Sequence, residues 1–482
     1  MKISVKIFAS VWATLWYSFA LVTVLIAVAF SLLRLFLPLI NQYSVTVESY
    51  ISDIVGQPIK IQSLDAEWHG FGPSLVFNNV RLLDSSGVAT IAQFSKANLG
   101  LDILESLTKW QVSFNSLVLK GANLSLVRHE NGAVTLTDFS FSTDNDDVDD
   151  SAQVLPLWLL GHRRVLLEVN NLIIEDNMHA GRRSHFSDLS ILLRNQGDRH
   201  IIDCALVISS STSEKVVFST DITGDIFLSD SWSGKFYLSA SDVDMSNFGD
   251  DINLLASTVA LGRVSFEFWG SWKNSKLEGV VGEFDAKNVV FLNSNESTSK
   301  NKTSKIANKK FSLDRVSSLL HWQSNANGWS LILDRINTAN KKKKQLESQI
   351  SVDYVRQDTN STFDVNINKL NVGQVSGILA VLDLGSEKIS DSLRNLKPRG
   401  EMQDISLHIE KGESLRFDLN SKFKNVSIDA WKKIPSLSGM HGQFTASESS
   451  GVLSLNSTNA VVDVPYMFRS PLDFNKVSGI IK

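Results

Sequence analysis

At 482 residues and 53.4 kDa, with 20% charged and 43% hydrophobic residues, the chain is about three times a typical domain and too apolar for intrinsic disorder. Lys+Arg 47 against Asp+Glu 51 leaves a net charge of -4, which excludes a polycation built to bind nucleic acid. The single cysteine, Cys204, excludes an internal disulfide framework and a zinc site made of several cysteines, and only 8 prolines favour long uninterrupted elements.

The first element is a run of 27 residues, 7–33, without a charge. As a helix at ~1.5 Å per residue it would extend ~40 Å, enough to cross a hydrocarbon core of ~30 Å with some tilt. Lys2 and Lys6 precede it and Arg34 follows, so the positive-inside rule makes residues 1–6 a cytoplasmic tail and predicts a transmembrane anchor over 7–37. Trp12, Trp16 and Tyr17 suit an interfacial aromatic belt. A cleaved signal peptide is the competing reading, with Ala27-Val28-Ala29 as its small-x-small site, yet a signal peptide's apolar region spans only ~7–15 residues. Residues 44–55 predict a juxtamembrane helix that stops at Gly56-Gln57-Pro58.

From residue 56 to 482 a period of two dominates, as in Leu75/Phe77, Leu117/Leu119, Val264/Phe266/Phe268, Ile350/Val352/Tyr354, Phe363/Val365/Ile367 and Leu415/Phe417/Leu419. Each reads as a strand with one apolar and one wet face. Several strands switch parity at short polar breaks, such as Asn78-Asn79 between Phe77 and Val80, or Asn115-Ser116 between Phe114 and Leu117. Such a break marks a bulge or tight turn, and the sheet so predicted is mostly antiparallel and meandering. Helical stripes occur within 371–396, where Val375, Ile378, Leu379 and Leu382 are followed by Ile389, Leu393 and Leu396 and then Pro398. A third short helix is expected at 154–160, and polar low-complexity stretches at 142–152 and 293–310 read as loops.

Catalytic and metal chemistry find no foothold. G-x-S-x-G, the P-loop and H-E-x-x-H are all absent, and Gly70-x-Gly72 lacks the third glycine of a dinucleotide fingerprint. Ser297-x-x-Lys300 matches S-x-x-K in letters only, within a Ser/Lys/Asn-rich stretch. His179 and His185 flank Arg182 and Arg183, which repel a cation, and Asp144, Asp146 and Asp150 lack the Gly and Glu of a calcium loop. The lysine run 341–344 reads as a solvated loop, and the sequons at Asn123, Asn295, Asn301, Asn360, Asn425 and Asn456 matter only in a glycosylating pathway.

Gly56-Gln57-Pro58-Ile59, then Ala66-Glu67-Trp68 and Phe71-Gly72-Pro73-Ser74-Leu75, resemble the start of the YhdP branch of the bacterial AsmA-like family. Asn327-Gly328-Trp329, Pro398-x-Gly400, Trp431 with Ile434-Pro435, and Pro465-Tyr466-x-Phe468-Arg469-x-Pro471-Leu472 follow in the family's order. The resemblance implies an inner-membrane anchor and a long, curved, mostly antiparallel β-sheet trough in the periplasm, bridge-like and apolar inside, with a few short helices. It also implies a role in moving phospholipid between the inner and outer membranes, with an outer-membrane or periplasmic partner and no nucleic acid. Proteins of that branch continue far beyond the position that matches Lys482, so a front portion of a longer chain is expected.

Inward parity then nominates Leu75, Phe77, Phe114, Phe266, Phe268, Val365, Ile367 and Phe417 as groove-lining residues, and Trp68 and Phe71, just after the membrane-proximal turn, either line the entrance or pack the first strands onto the juxtamembrane helix; no cofactor, metal or catalytic residue is expected. The alternative is an envelope scaffold or assembly factor whose strands close into ordinary β-sandwiches and bury their own apolar faces.

Overall fold

The computed structural model describes residues 12–25, 27–28, 31 and 42–55. From 57 to 482 it describes all but 70–71, 85–86, 89, 112, 130–133, 137–138, 141–160, 178–181, 209–213, 225–230, 245–252, 255–256, 275, 294–309, 341–342, 345–346, 358–359, 383–386 and 413. The expected tail 1–6, nearly all of the loops 142–152 and 293–310, and the helix at 154–160 lie outside the described residues. Of the expected anchor 7–37, residues 12–25, 27–28 and 31 are described, and all are helical. Among the described residues no helix is long and apolar enough to cross a membrane.

The chain divides into two units, Met1–Cys204 and Ala205–Lys482. In the first unit, helix α1 (Ser44–Val55) precedes strands β1 (Ile59–His69), β2 (Gly72–Leu83) and β3 (Thr90–Leu101). Helix α2 (Ile103–Lys109) leads to β4 (Phe114–Arg128), the short β5 (Val134–Leu136) and β6 (Phe139–Ser140), and then β7 (Arg164–Asp176) and β8 (Arg182–Gln196). Neighbours pair antiparallel except β4 and β7, which run parallel with Leu117 opposite Val165. A parallel pair needs a crossover, and residues 129–163 provide it.

Helix α1 is fixed to β1 by its own polar side chains. Ser52 Oγ accepts from the Ile59 amide at 3.0 Å, and Glu48 Oε1 accepts from the Ile61 amide at 2.8 Å. Val47 and Ile51, one turn apart, pack on the core of Ile59, Ile61, Leu64, Phe77, Ala97, Leu99, Leu117 and Val165. Pro58, with no amide hydrogen, still accepts from the Leu83 amide at 2.9 Å and stops the helix short of β1.

The boundary falls within β9 (Arg199–Val207), after which the second unit continues with β10 (Lys215–Thr223), β11 (Ser233–Asp244), the short β12 (Asn253–Leu254), β13 (Ser257–Lys273), β14 (Lys276–Asn293), β15 (Lys310–Asn325) and β16 (Gly328–Asn340). Next come the short β17 (Lys343–Lys344), then β18 (Ser348–Gln357) and β19 (Asn360–Asn371), and helices α3 (Val372–Leu382) and α4 (Glu387–Leu396). The unit ends with β20 (Arg399–Lys411), β21 (Leu415–Ile428), β22 (Ser436–Ser447), β23 (Gly451–Asp463) and β24 (Leu472–Ile481). From β10 onward every described pairing is antiparallel. The architecture is mainly β, an open and mostly antiparallel sheet in each unit with a few short helices.

The strands are longer than the alternating runs in the sequence, and one device explains it. Asn79, Asp242, Asn288, Arg335, Asp404, Asn425 and Asn459 sit inside strands with φ of 50°, 50°, 53°, 49°, 50°, 52° and 56°. Around each, the inward side chains are spaced by three residues instead of two, as in Phe77 and Val80, Leu333 and Ile336, or Phe423 and Val426. A left-handed residue inserts one position, bends the strand and keeps the apolar side chains on one face. Asn and Asp tolerate that conformation because their short side chains hydrogen-bond locally.

Helix α3 lies against β14, β15, β19 and β20. Asn371 Oδ1 caps it by accepting from the Gln374 amide at 3.1 Å. A Cβ on Gly377 would stand 2.4 Å from the Phe311 ring, so glycine lets the helix settle onto that ring. Helix α3 therefore covers the part of the sheet around Phe311.

Gly282 shows how closely the face is packed. Its cross-strand partner is Phe268, and a Cβ there would lie 2.0 Å from the Glu267 carbonyl oxygen and 2.6 Å from the Phe268 ring. Gly282→Val should destabilise the second unit by ~1–3 kcal/mol through overpacking. Gly279→Val, whose Cβ would meet nothing closer than 3.4 Å, should be near neutral, and comparison of denaturant midpoints checks both.

Candidate functional site

In register, side chains of neighbouring strands share a face, so the pairings can be followed across the second unit. One row runs Phe218, Leu238, Phe268, Gly282, Leu320, Leu333, Ile350, Ile367, Ile405. The next runs Phe236, Gly270, Val280, Trp322, Leu331, Val352, Val365, Leu407, Leu419, Ala446. At ~4.8 Å per strand the first row extends ~38 Å, more than twice the ~15 Å of one lipid leaflet's hydrocarbon. Aromatic contacts tighten it, with Phe266 stacked on Phe268 at 5.1 Å and Tyr354 at 4.7 Å from Phe363.

The burial along these rows is the informative quantity. Phe266, Phe268, Phe284, Leu320, Leu333, Val352, Val365, Ile367, Leu407, Ile409 and Phe417 are all only half-buried. A closed sandwich would bury such side chains fully. By contrast, Leu64 and Phe77 beneath α1 are 0% and 2% exposed.

The opposite face is mostly polar. Asp285 accepts two hydrogen bonds from Arg315, at 2.6 and 3.2 Å, and Arg263 pairs with Glu214 and Asp242. The Arg263 guanidinium holds the Asp242 carboxyl below the usual carboxylate range. Trp269 and Val281, each 46% exposed, are cross-strand neighbours on that face.

His408 and its cross-strand neighbour Asp364 are 2.6 Å apart on this polar face. The hydrogen bond to Asp364 raises the His408 pKa above its ordinary 6.5, with Asp418 and Glu410 adding to it. A raised folded-state pKa contributes stability that is fully present below the unfolded value and fades as pH climbs through the folded value. Asp364→Asn should therefore lower the thermal midpoint at pH ~5.5 and have little effect by pH ~9, as read from melting curves at the two pH values.

The nominated groove residues fall into two groups. Phe266, Phe268, Val365, Ile367 and Phe417 share the apolar face of the second unit. In the first unit Phe77 is a core residue, and Leu75 and Phe114 pack against the same core under α1. Phe77 is 2% exposed in that core, a burial that alternation alone does not reveal. Trp68 is 38% exposed at the end of β1, and Phe71 lies outside the described residues. Leu331, Leu333, Leu320 and Trp322 escaped the sequence reading; the two-residue turn Ala326-Asn327 joins the strands that pair them.

The family model described as YhdP protein matches residues 1–482. The chain belongs to the YhdP family. The intermembrane phospholipid transporter YhdP of Escherichia coli (strain K12) is 20% identical over 468 residues, which cover 94% of this chain and 34% of that protein. The chain thus spans about a third of the length of this curated YhdP relative. No solved structure matches.

Proposed function

We propose that the chain is part of an inner-membrane-anchored periplasmic conduit that shields phospholipid acyl chains in an apolar groove during passage between inner and outer membranes. The observation that carries this reading is the apolar face that crosses the strands of the second unit and stays half-buried along most of its length, helix α3 covering the part around Phe311 among the described residues. Exposing acyl chains to water costs ~0.8 kcal/mol per methylene, so about 30 methylenes amount to roughly 24 kcal/mol. A continuous apolar row lowers that barrier at each strand. The charge-free segment 7–33 supports anchoring in the inner membrane, and the 38% exposure of Trp68 is compatible with a place at the lipid entrance. The relative's printed description as an intermembrane phospholipid transporter supports the substrate class.

Purified in mild detergent and extracted with organic solvent, the full chain should carry at least about one phospholipid per chain by mass spectrometry, because the half-buried face is too large to leave wet. A phospholipid-free chain would overturn the proposal and favour a scaffold.

A further inference from the structure

Between β3 and β4 the chain builds a small helical turn that exposes apolar side chains and is nonetheless held firmly. Asp102 caps α2 by accepting from the Glu105 amide at 2.9 Å, and its own amide donates to the Ser113 carbonyl at 2.8 Å. Ser106 Oγ donates to the Asp102 carbonyl at 2.5 Å and accepts from the Ser113 amide at 2.9 Å. Trp110 closes the helix in a left-handed conformation, φ 53°. On this tied frame Leu107 is 65% and Trp110 is 93% exposed. A tryptophan presented to water this fully has no packing role in its own unit.

The turn's position indicates what it meets. Trp68 pairs with Pro73, Ser74 with Gly100, and Leu101 with Phe114, so α2 projects from the strand end that carries Trp68. The bonds from Ile59 to Ser52 and from Ile61 to Glu48 make α1 antiparallel to β1, so its first residues point toward that same end. From Ile61 the strand climbs seven more residues to Trp68, ~23 Å, whereas α1 climbs four from Glu48 to Ser44, ~6 Å. Eight residues, 34–41, join the charge-free segment to the helical turn at 42–43 that precedes α1, and eight extended residues reach up to ~26 Å, more than the ~17 Å difference. Lys109, Arg163 and Arg164 are exposed at this end as well, Lys109 pairing with Glu105 at 2.7 Å and Arg163 lying 3.9 Å from Asp102 and 4.0 Å from Glu105.

We infer that α2 with its Trp110 cap is a second bilayer contact of the first unit, seated on an anionic phospholipid surface beside the anchor. The inference rests on the proposed membrane anchorage. Tryptophan is enriched where an apolar body meets a wet boundary, and the neighbouring cations match anionic head groups. Such a contact would hold the Trp68 end of the sheet against the leaflet from which lipid enters.

The test uses the full chain carrying Cys204→Ser, with single cysteines at Gln111, Val88 or Leu21 labelled with bimane. The protein is reconstituted into phosphatidylethanolamine/phosphatidylglycerol vesicles with brominated acyl chains. Val88, 84% exposed in the turn between β2 and β3, marks the opposite strand end, and Leu21 reports the anchor. Quenching at Gln111 should exceed that at Val88 at least threefold, and should fall at least twofold with Trp110→Ser or when phosphatidylcholine replaces phosphatidylglycerol. Equal quenching at Gln111 and Val88 with strong quenching at Leu21 would overturn this inference and leave the anchored reading standing. Loss at Leu21 too would overturn both.

Discussion

Val365→Asp should reduce phospholipid crosslinking at Phe417 at least about tenfold while crosslinking at Phe266 stays within about twofold of the unsubstituted chain. Val365 sits mid-row between Val352 and Leu407, with Phe266 on one side and Phe417 on the other. A carboxylate among acyl chains costs ~2.5–3.5 kcal/mol, which at one decade per ~1.4 kcal/mol is roughly a hundredfold. Half exposure lets the side chain turn partly toward water, so tenfold is the floor. Asn366→Asp adds the same charge on the polar face and should leave both yields unchanged. Equal loss at Phe266 and Phe417 would point to a damaged fold, which circular dichroism would reveal.

Leu64→Ala should produce the largest loss of stability in the first unit. Leu64 is 0% exposed within the core that α1 covers, and the truncation removes its contacts with the neighbouring apolar side chains. Buried Leu→Ala changes cost ~2–5 kcal/mol through lost burial and the cavity left behind. For a unit of about 150–250 residues each kcal/mol moves the midpoint by ~2–4 °C, so a fall of roughly 4–20 °C is expected. Differential scanning calorimetry checks it, and a shift below about 2 °C would contradict the core assignment.

Strand identity was legible because the two faces of these strands differ so sharply in polarity. Phe363/Val365/Ile367 alternate with Asp364 and Asn366, and the structure places the two sets on opposite faces. Strand length was less legible. A parity switch looks like a strand end in sequence, whereas Asp404 or Arg335 in a left-handed conformation carries the strand through it. Asn78-Asn79 could be recognised because Asn favours that conformation; Arg335 gives no such sign. The parallel β4–β7 pair was hidden because 35 residues separate the two strands and alternation alone carries no information about direction.

Cover was the least legible quantity. Phe77 and Val365 look alike in sequence, each an apolar residue in an alternating run. Only the packing of Val47 and Ile51 over the first unit distinguishes a core position from one on an open face. Glu48 and Ser52, which fix α1 to β1 through backbone amides, carry that decision, and their role depends on a contact between elements rather than on any local pattern.

The most direct measurement places a photocrosslinking residue at Phe266, Val365 or Phe417, and at the opposite-face controls Ser265, Asp364 or Asp418, in growing Gram-negative cells. Phospholipid should be recovered by mass spectrometry from all three apolar-face positions and from none of the controls. Recovery from neither set, or equally from both, would contradict an acyl-chain groove on this sheet.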